Sequence, residues 1–296
     1  LFWTLVHWRP KTFFNKTSFK NMFGFGSKLL ISGLLNTLYE NVYDLIIGKV
    51  FSAGTLGNYS RASHFANFPS SNINGIFQRV TFPVLSKIQN DHDKLRVGYL
   101  KFLNMATLVV FPLMIGLSAV AKPFILLVLT DKWVDAILIL QIICFAQMWY
   151  PVHSINLNML QVLGRSDLFL KLEIIKKIEG ITVLCITLPH GIIAMCFGQW
   201  FNACFGLVIN TYYSGKLLNA GLLPQLKMYI PTILNSLIMG AICLGVTKLL
   251  PEKEYGIQLI LGITAGATYY LVSNWIFNRS TVKELLELLN RKKKKL

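Results

Sequence analysis

Apolar runs long enough to span a bilayer recur along this chain, and its basic residues fall mostly in the gaps between them. A spanning helix needs about 20 predominantly apolar residues. In hydrocarbon every backbone N–H and C=O must be satisfied inside the segment, so runs of this kind read as helices. The breaks in the pattern, KIQNDHDKLR and the PHG of 189–191 among them, give about eight spans. They fall at 25–48, 62–86, 98–120, 134–158, 172–188, 191–213, 228–249 and 256–277. Of the 296 residues 54% are hydrophobic and 14% charged, where a soluble chain carries about a quarter charged. The expected fold class is all-α: a polytopic membrane protein of about eight transmembrane helices.

The net charge of +16 would suggest nucleic acid if it formed one patch. Here it follows the loops. With the segment before residue 25 on one side, the loops and tail of that side hold twenty Lys and Arg, against six on the other. Positive residues collect in the cytoplasm, so both ends are expected to be cytoplasmic, and nucleic acid is not an expected partner. The five cysteines lie inside apolar runs with no C-x-x-C pair, and the five histidines are scattered. Neither a metal site nor a cofactor is expected.

One span breaks the apolar rule. LLNTLYENVYDLIIG, residues 34–48, carries Asn36, Glu40 and Asp44 at four-residue spacing, which stacks them on one helix face. A carboxylate at mid-bilayer costs several kcal/mol unless it pairs, protonates or meets water. The stripe therefore faces a bundle interior or an aqueous cavity, either as an ion-pair network or as a lining that meets substrate or a coupling ion. The next segment carries the opposite charge. Arg61 and Arg79 are eighteen residues apart, five turns and about 27 Å along one face of a continuous helix, with Asn72 near that face. Pro69 and Pro83 are expected to kink or break this helix. Arg61, Arg79, Asn72 and Asn36 are the candidate cavity residues, and Glu40 and Asp44 the candidate coupling residues. Arg61 could also be an interfacial anchor.

Other motifs say less. GFGSK, Gly24–Lys28, lacks the third glycine of a phosphate-binding loop and reads as a loop at the start of a span. Gly262 and Gly266 form a GxxxG that allows close helix packing. The end of the chain, Thr281 to Leu296, reads as a capping box, an apolar face and a basic run, a short amphipathic helix drawn to anionic lipid. Nothing resembles a catalytic constellation.

Several stretches together resemble the Wzx-type polysaccharide transporters of the multidrug/oligosaccharidyl-lipid/polysaccharide exporter superfamily. They include IIGKVFSAGTLGNYSRA, VTFPVLSKIQ and GRSDLFLKLE, and the likeness runs from about Trp8 to Tyr213. The resemblance implies two six-helix lobes about a central cavity, with two extra helices. Mapped on, residues 1–8 are the end of a preceding transmembrane helix and 9–24 a cytoplasmic linker between lobes. Residues 25–213 are the second lobe, 214–277 the extra pair and 278–296 a basic cytoplasmic tail. The implied partners are a lipid-linked oligosaccharide, membrane lipids, a first lobe of the same protein missing from this stretch, and polysaccharide polymerase machinery. The implied activity is flipping of undecaprenyl-diphosphate-linked sugar repeats across the bacterial cytoplasmic membrane. A drug/cation antiporter, an integral-membrane polysaccharide-assembly enzyme and a scaffold without transport are the alternatives. Loops of only about a dozen residues count against the enzyme.

Overall fold

The computed structural model describes residues 15–251, 254–277 and 279. These residues form α-helices joined by short turns. α1 is Lys16–Val50, α2 Ala53–Lys87, α3 His92–Ala119, α4 Ala121–Val128 and α5 Asp135–Gln147. α6 is Tyr150–Val162, α7 Ser166–Thr187, α8 Ile192–Leu218, α9 Leu222–Leu249 and α10 Tyr255–Phe277. With α5 and α6 taken as two halves of one span, eight long helices stand where the hydropathy pattern put eight. Five of these, α3, α5–α6, α8, α9 and α10, are long and apolar enough to cross a membrane. The other three, α1, α2 and α7, have 35, 35 and 22 residues but are too polar to meet that standard. Their polar side chains must face protein or water.

Local chemistry sets the boundaries. Asn15 accepts from the backbone N–H of Thr17 and Ser18 at 3.0 and 3.2 Å, so α1 begins at Lys16, inside the expected linker. GFGSK is consequently helical rather than a loop. Asp91 caps α3 by accepting from Lys94 N–H at 3.1 Å, which confirms the break at KIQNDHD. Leu188–His190 is a 3-10 turn closed by Gly191 at φ 91°, a backbone region that glycine enters freely. α2, expected to kink or break, runs as one helix through Pro69 and Pro83.

The expected single span at 134–158 is instead interrupted between α5 and α6. Pro151 has no N–H to give the Gln147 carbonyl one turn earlier. Ser70 Oγ of α2 donates to that carbonyl instead, at 2.7 Å. The break therefore docks on α2.

α3 is the axis of the bundle. In its most apolar stretch 72% of residues are buried inside the protein, against 22% for α10. α9 packs along α3, α10 along α9, α1 along α7, and α2 against α5 and α6. Phe111, Trp149 and Tyr229 meet edge to face with centroids 5.2 to 6.1 Å apart, pinning α3, the α5–α6 break and α9. Beside them lies a buried hydrogen-bond network. Tyr99 Oη donates to Asn156 Oδ1 at 2.6 Å, Gln225 Nε2 to Tyr99 Oη at 2.8 Å, and Tyr229 Oη to Gln225 Oε1 at 2.8 Å. Ser214 of α8 joins at 2.9 Å from Asn156 Oδ1. α9 is thereby bonded to α3, α6 and α8 as well as packed on α3. Gly262 and Gly266 do bring α10 close to α9: a Cβ at Gly266 would lie 2.3 Å from Cys243 Sγ. The expected preceding helix end at 1–8, the first part of the linker and the amphipathic tail with its Thr281 capping box lie outside the described residues.

Candidate functional site: two adjoining polar cavities

The helices too polar for lipid enclose space. A cavity of about 630 Å³ lies between α1, α2, the α5–α6 break and α8. A second, of about 430 Å³, lies between α1, α6, α7 and α8. Tyr39, Tyr150, His153, Asn202 and Ala203 line both, so the two adjoin.

The first cavity is aromatic and amide-rich. α2 supplies Ser63, Asn67 and Ser71 at four-residue spacing, one stripe of a helix. α1 supplies Tyr39, Asn41, Tyr43 and Asp44, and α8 supplies Gln199 and Asn202. Among the described residues no Lys or Arg lines it. Tyr39 and Tyr43 stack edge to face with centroids 5.5 Å apart, and Gln199 Nε2 donates to Tyr59 Oη at 2.5 Å.

The second cavity is charged. Lys177 Nζ donates to Asn36 Oδ1 at 2.7 Å and sits 4.3 Å from the Tyr39 ring centre, a cation–π contact. Lys176 is ion-paired with Glu173, their side chains only 18% and 8% exposed. Gly180 makes room for the Tyr39 ring, since a Cβ there would lie 2.2 Å from its hydroxyl oxygen. The Asn202 amide, oriented to satisfy its neighbours, donates to Gly198 O and Glu179 Oε1 at 3.0 Å each. At the junction of the cavities the His153 ring lies on Gly206, its Nδ1 3.2 Å from the Asn210 amide.

Of the residues singled out in the sequence, Asn36 lines the second cavity and Asp44 the first. The Glu40 side chain lies outside the described residues. Arg61, Asn72 and Arg79 line neither of these two cavities. Arg61 is exposed and stacks on Trp133 at 5.9 Å. Asn72 donates to Phe68 O of its own helix at 2.7 Å, and Arg79 is exposed. The reason is helical phase. At 100° per residue, Arg61 and Arg79 lie about 120° and Asn72 about 140° round α2 from the mean direction of 63, 67 and 71.

The cations in the cavities come from α7. Lys176 and Lys177, counted in the sequence as loop residues, lie inside a helix that begins at Ser166. That is about 15 Å along it. The sequence reading also missed Tyr39, Tyr59, Gln147, His153, Gln199 and Asn202. Two signals pointed to them: Pro151 inside an apolar run, and Gln199 and Asn202 at three-residue spacing in the apolar α8.

An all-α, multi-pass membrane bundle with a polar interior is the class that this geometry defines. Its fold matches that of the lipid II flippase MurJ in an inward closed conformation, with a TM-score of 0.68 at 20% identity. The match covers 92% of this chain and 57% of that one. In sequence, residues 1–138 match the family of polysaccharide biosynthesis proteins. The chain is 27% identical over 278 residues to the teichuronic acid biosynthesis protein TuaB of Bacillus subtilis, covering 92% of this chain and 57% of the relative. It is 30% identical over 207 residues to the lipopolysaccharide biosynthesis protein WzxC of Escherichia coli, covering 70% and 42%. By sequence the chain is similar to the Wzx-type polysaccharide transporters. The chain spans about half the length of the curated relatives it matches.

Proposed function

We propose that this chain forms the substrate-carrying lobe of a flippase. The flippase would move an undecaprenyl-diphosphate-linked oligosaccharide across the bacterial cytoplasmic membrane for O-antigen, capsule or exopolysaccharide assembly. The protein is a carrier, not an enzyme. One observation supports the reading above the rest: α1, α2 and α7, the helices too polar for lipid, wall two adjoining polar cavities inside an apolar bundle. A sugar–diphosphate head group crossing hydrocarbon needs such a shelter, and Lys176 and Lys177 supply cations for its phosphates. Asp44 and Glu40 are the candidate ion-coupling groups. Arg61, Asn72 and Arg79 would contact substrate from the exposed face of α2, where a further part of the protein could pack. Membrane lipids, a companion lobe and polymerase machinery complete the expected partners.

In cells making the polysaccharide, Lys177→Ala should strongly reduce surface polysaccharide while membrane protein level holds. Lys177→Arg should restore part of it, because charge is kept but the contact over Tyr39 changes. Normal surface polysaccharide from Lys177→Ala would count against this reading. A drug/cation antiporter is the second reading, favoured by Asp44 among four tyrosines with no Lys or Arg lining the first cavity among the described residues. It predicts export of organic cations with surface polysaccharide unaffected.

A further inference from the structure

We propose that the first cavity is the seat of an uncharged, hydroxyl-bearing sugar ring, and that charged groups of the ligand are kept out of it. This rests on the lipid-linked saccharide reading and assigns one part of that ligand to one part of the site. Charge comes first. Asp44 is the carboxylate on the lining, and no Lys or Arg answers it among the described residues. An anion taken from water into that cavity loses hydration and gains repulsion. Phosphate or uronate therefore belongs elsewhere, beside Lys177 in the adjoining cavity.

The second observation is hydrogen-bonding capacity. Ser63, Asn67, Ser71, Gln147, Gln199 and Asn202 line this cavity, and each side chain carries both a donor and an acceptor. A sugar hydroxyl, itself donor and acceptor, suits such a wall. A quaternary cation, with neither, does not.

The third observation is shape. Tyr rings on α1, α2 and α6 offer flat faces to the C–H face of a pyranose, while Asn67, Gln147 and Gln199 offer paired donors and acceptors to its hydroxyls. The volume of about 630 Å³ is that of an ordinary small-molecule pocket.

The test uses the protein as expressed, purified into lipid nanodiscs, with exposed Cys185 and Cys204 replaced by serine. Ser63→Cys reports on the first cavity and Gln161→Cys on the second, with Ser71→Cys as a further first-cavity reporter should Ser63→Cys fold poorly. Labelling by a small neutral thiol reagent is timed with maltose, glucuronate, pyrophosphate or tetraethylammonium. Maltose should slow labelling of the first-cavity cysteine several-fold, and the other three should not. Gln199→Ala should raise the maltose concentration needed by roughly tenfold, with thermal unfolding recorded to exclude a folding defect. Absence of maltose protection, or equal protection by glucuronate, pyrophosphate or tetraethylammonium, would overturn the assignment. If maltose protection is absent while Lys177→Ala still abolishes surface polysaccharide, the seat is refuted and the flippase reading stands. If Lys177→Ala has no effect, it is the flippase reading that fails.

Discussion

A single side chain in this bundle is decided by its partner. Glu173 and Lys176 are one turn apart on α7 and both largely buried. Removing one charge leaves the other unanswered in a poorly solvated place, at a cost of about 3–5 kcal/mol. Glu173→Gln should therefore lower the unfolding temperature of the purified protein markedly. Glu173→Gln with Lys176→Met should recover much of it, because the stranded charge is gone. A double variant less stable than the single would show that the pair does not act as a unit. Lys177 had its partner hidden from the sequence: Asn36 lies 141 residues away. The Asn36–Asp44 stripe was legible, since four-residue spacing alone puts those groups on one face. The cation that meets it at Asn36 was not, because only tertiary packing brings Lys177 of α7 there.

At the scale of elements, the α5–α6 break shapes the first cavity. It puts Gln147, Tyr150 and His153 on the wall, and its cause is Pro151 with Ser70 as the substitute donor. Ser70→Ala should destabilise the protein by about 1–2 kcal/mol by orphaning the Gln147 carbonyl. Pro151→Ala restores a backbone N–H that can take that carbonyl, so in its presence Ser70→Ala should cost clearly less. Unfolding of the four proteins in a double-mutant cycle measures the coupling; strict additivity would mean that the two groups do not share the carbonyl. Helix existence was read correctly from apolar run length, because length and hydropathy are local properties. Continuity was misjudged at Pro151, where one unbroken span was expected. At Pro151 the helix breaks, whereas at Pro69 and Pro83 it runs through. The residues alone do not show which neighbours will meet a freed carbonyl.

At the scale of the whole molecule, eight long helices and the basic asymmetry of the loops predict an orientation. Even without Lys176 and Lys177, which sit in α7 rather than in a loop, the side carrying Asp91 keeps the excess of Lys and Arg. Single cysteines at Asp91 and Asp131, with other accessible thiols removed, should differ in intact cells. An impermeant reagent should label the cysteine at 131 and leave that at 91 unlabelled. Equal labelling would overturn the orientation. The same scale fixes α9 to α3, α6 and α8. Tyr99, Asn156, Ser214 and Gln225 come from four different helices and bond to one another.

The sequence by itself determined that this chain is a set of membrane-length helices, how many there are, and that α1 carries a polar stripe needing shelter. Those follow from run length, spacing and the cost of charge in hydrocarbon, each a property of neighbouring residues. Only the tertiary structure decided where the shelter is, that its lysines come from α7, and that it divides into an aromatic and a charged cavity. Those depend on the rotation of one helix against another, which is set by the packing of Gly180 on Tyr39, Gly206 on His153 and Ser70 on the α5–α6 break.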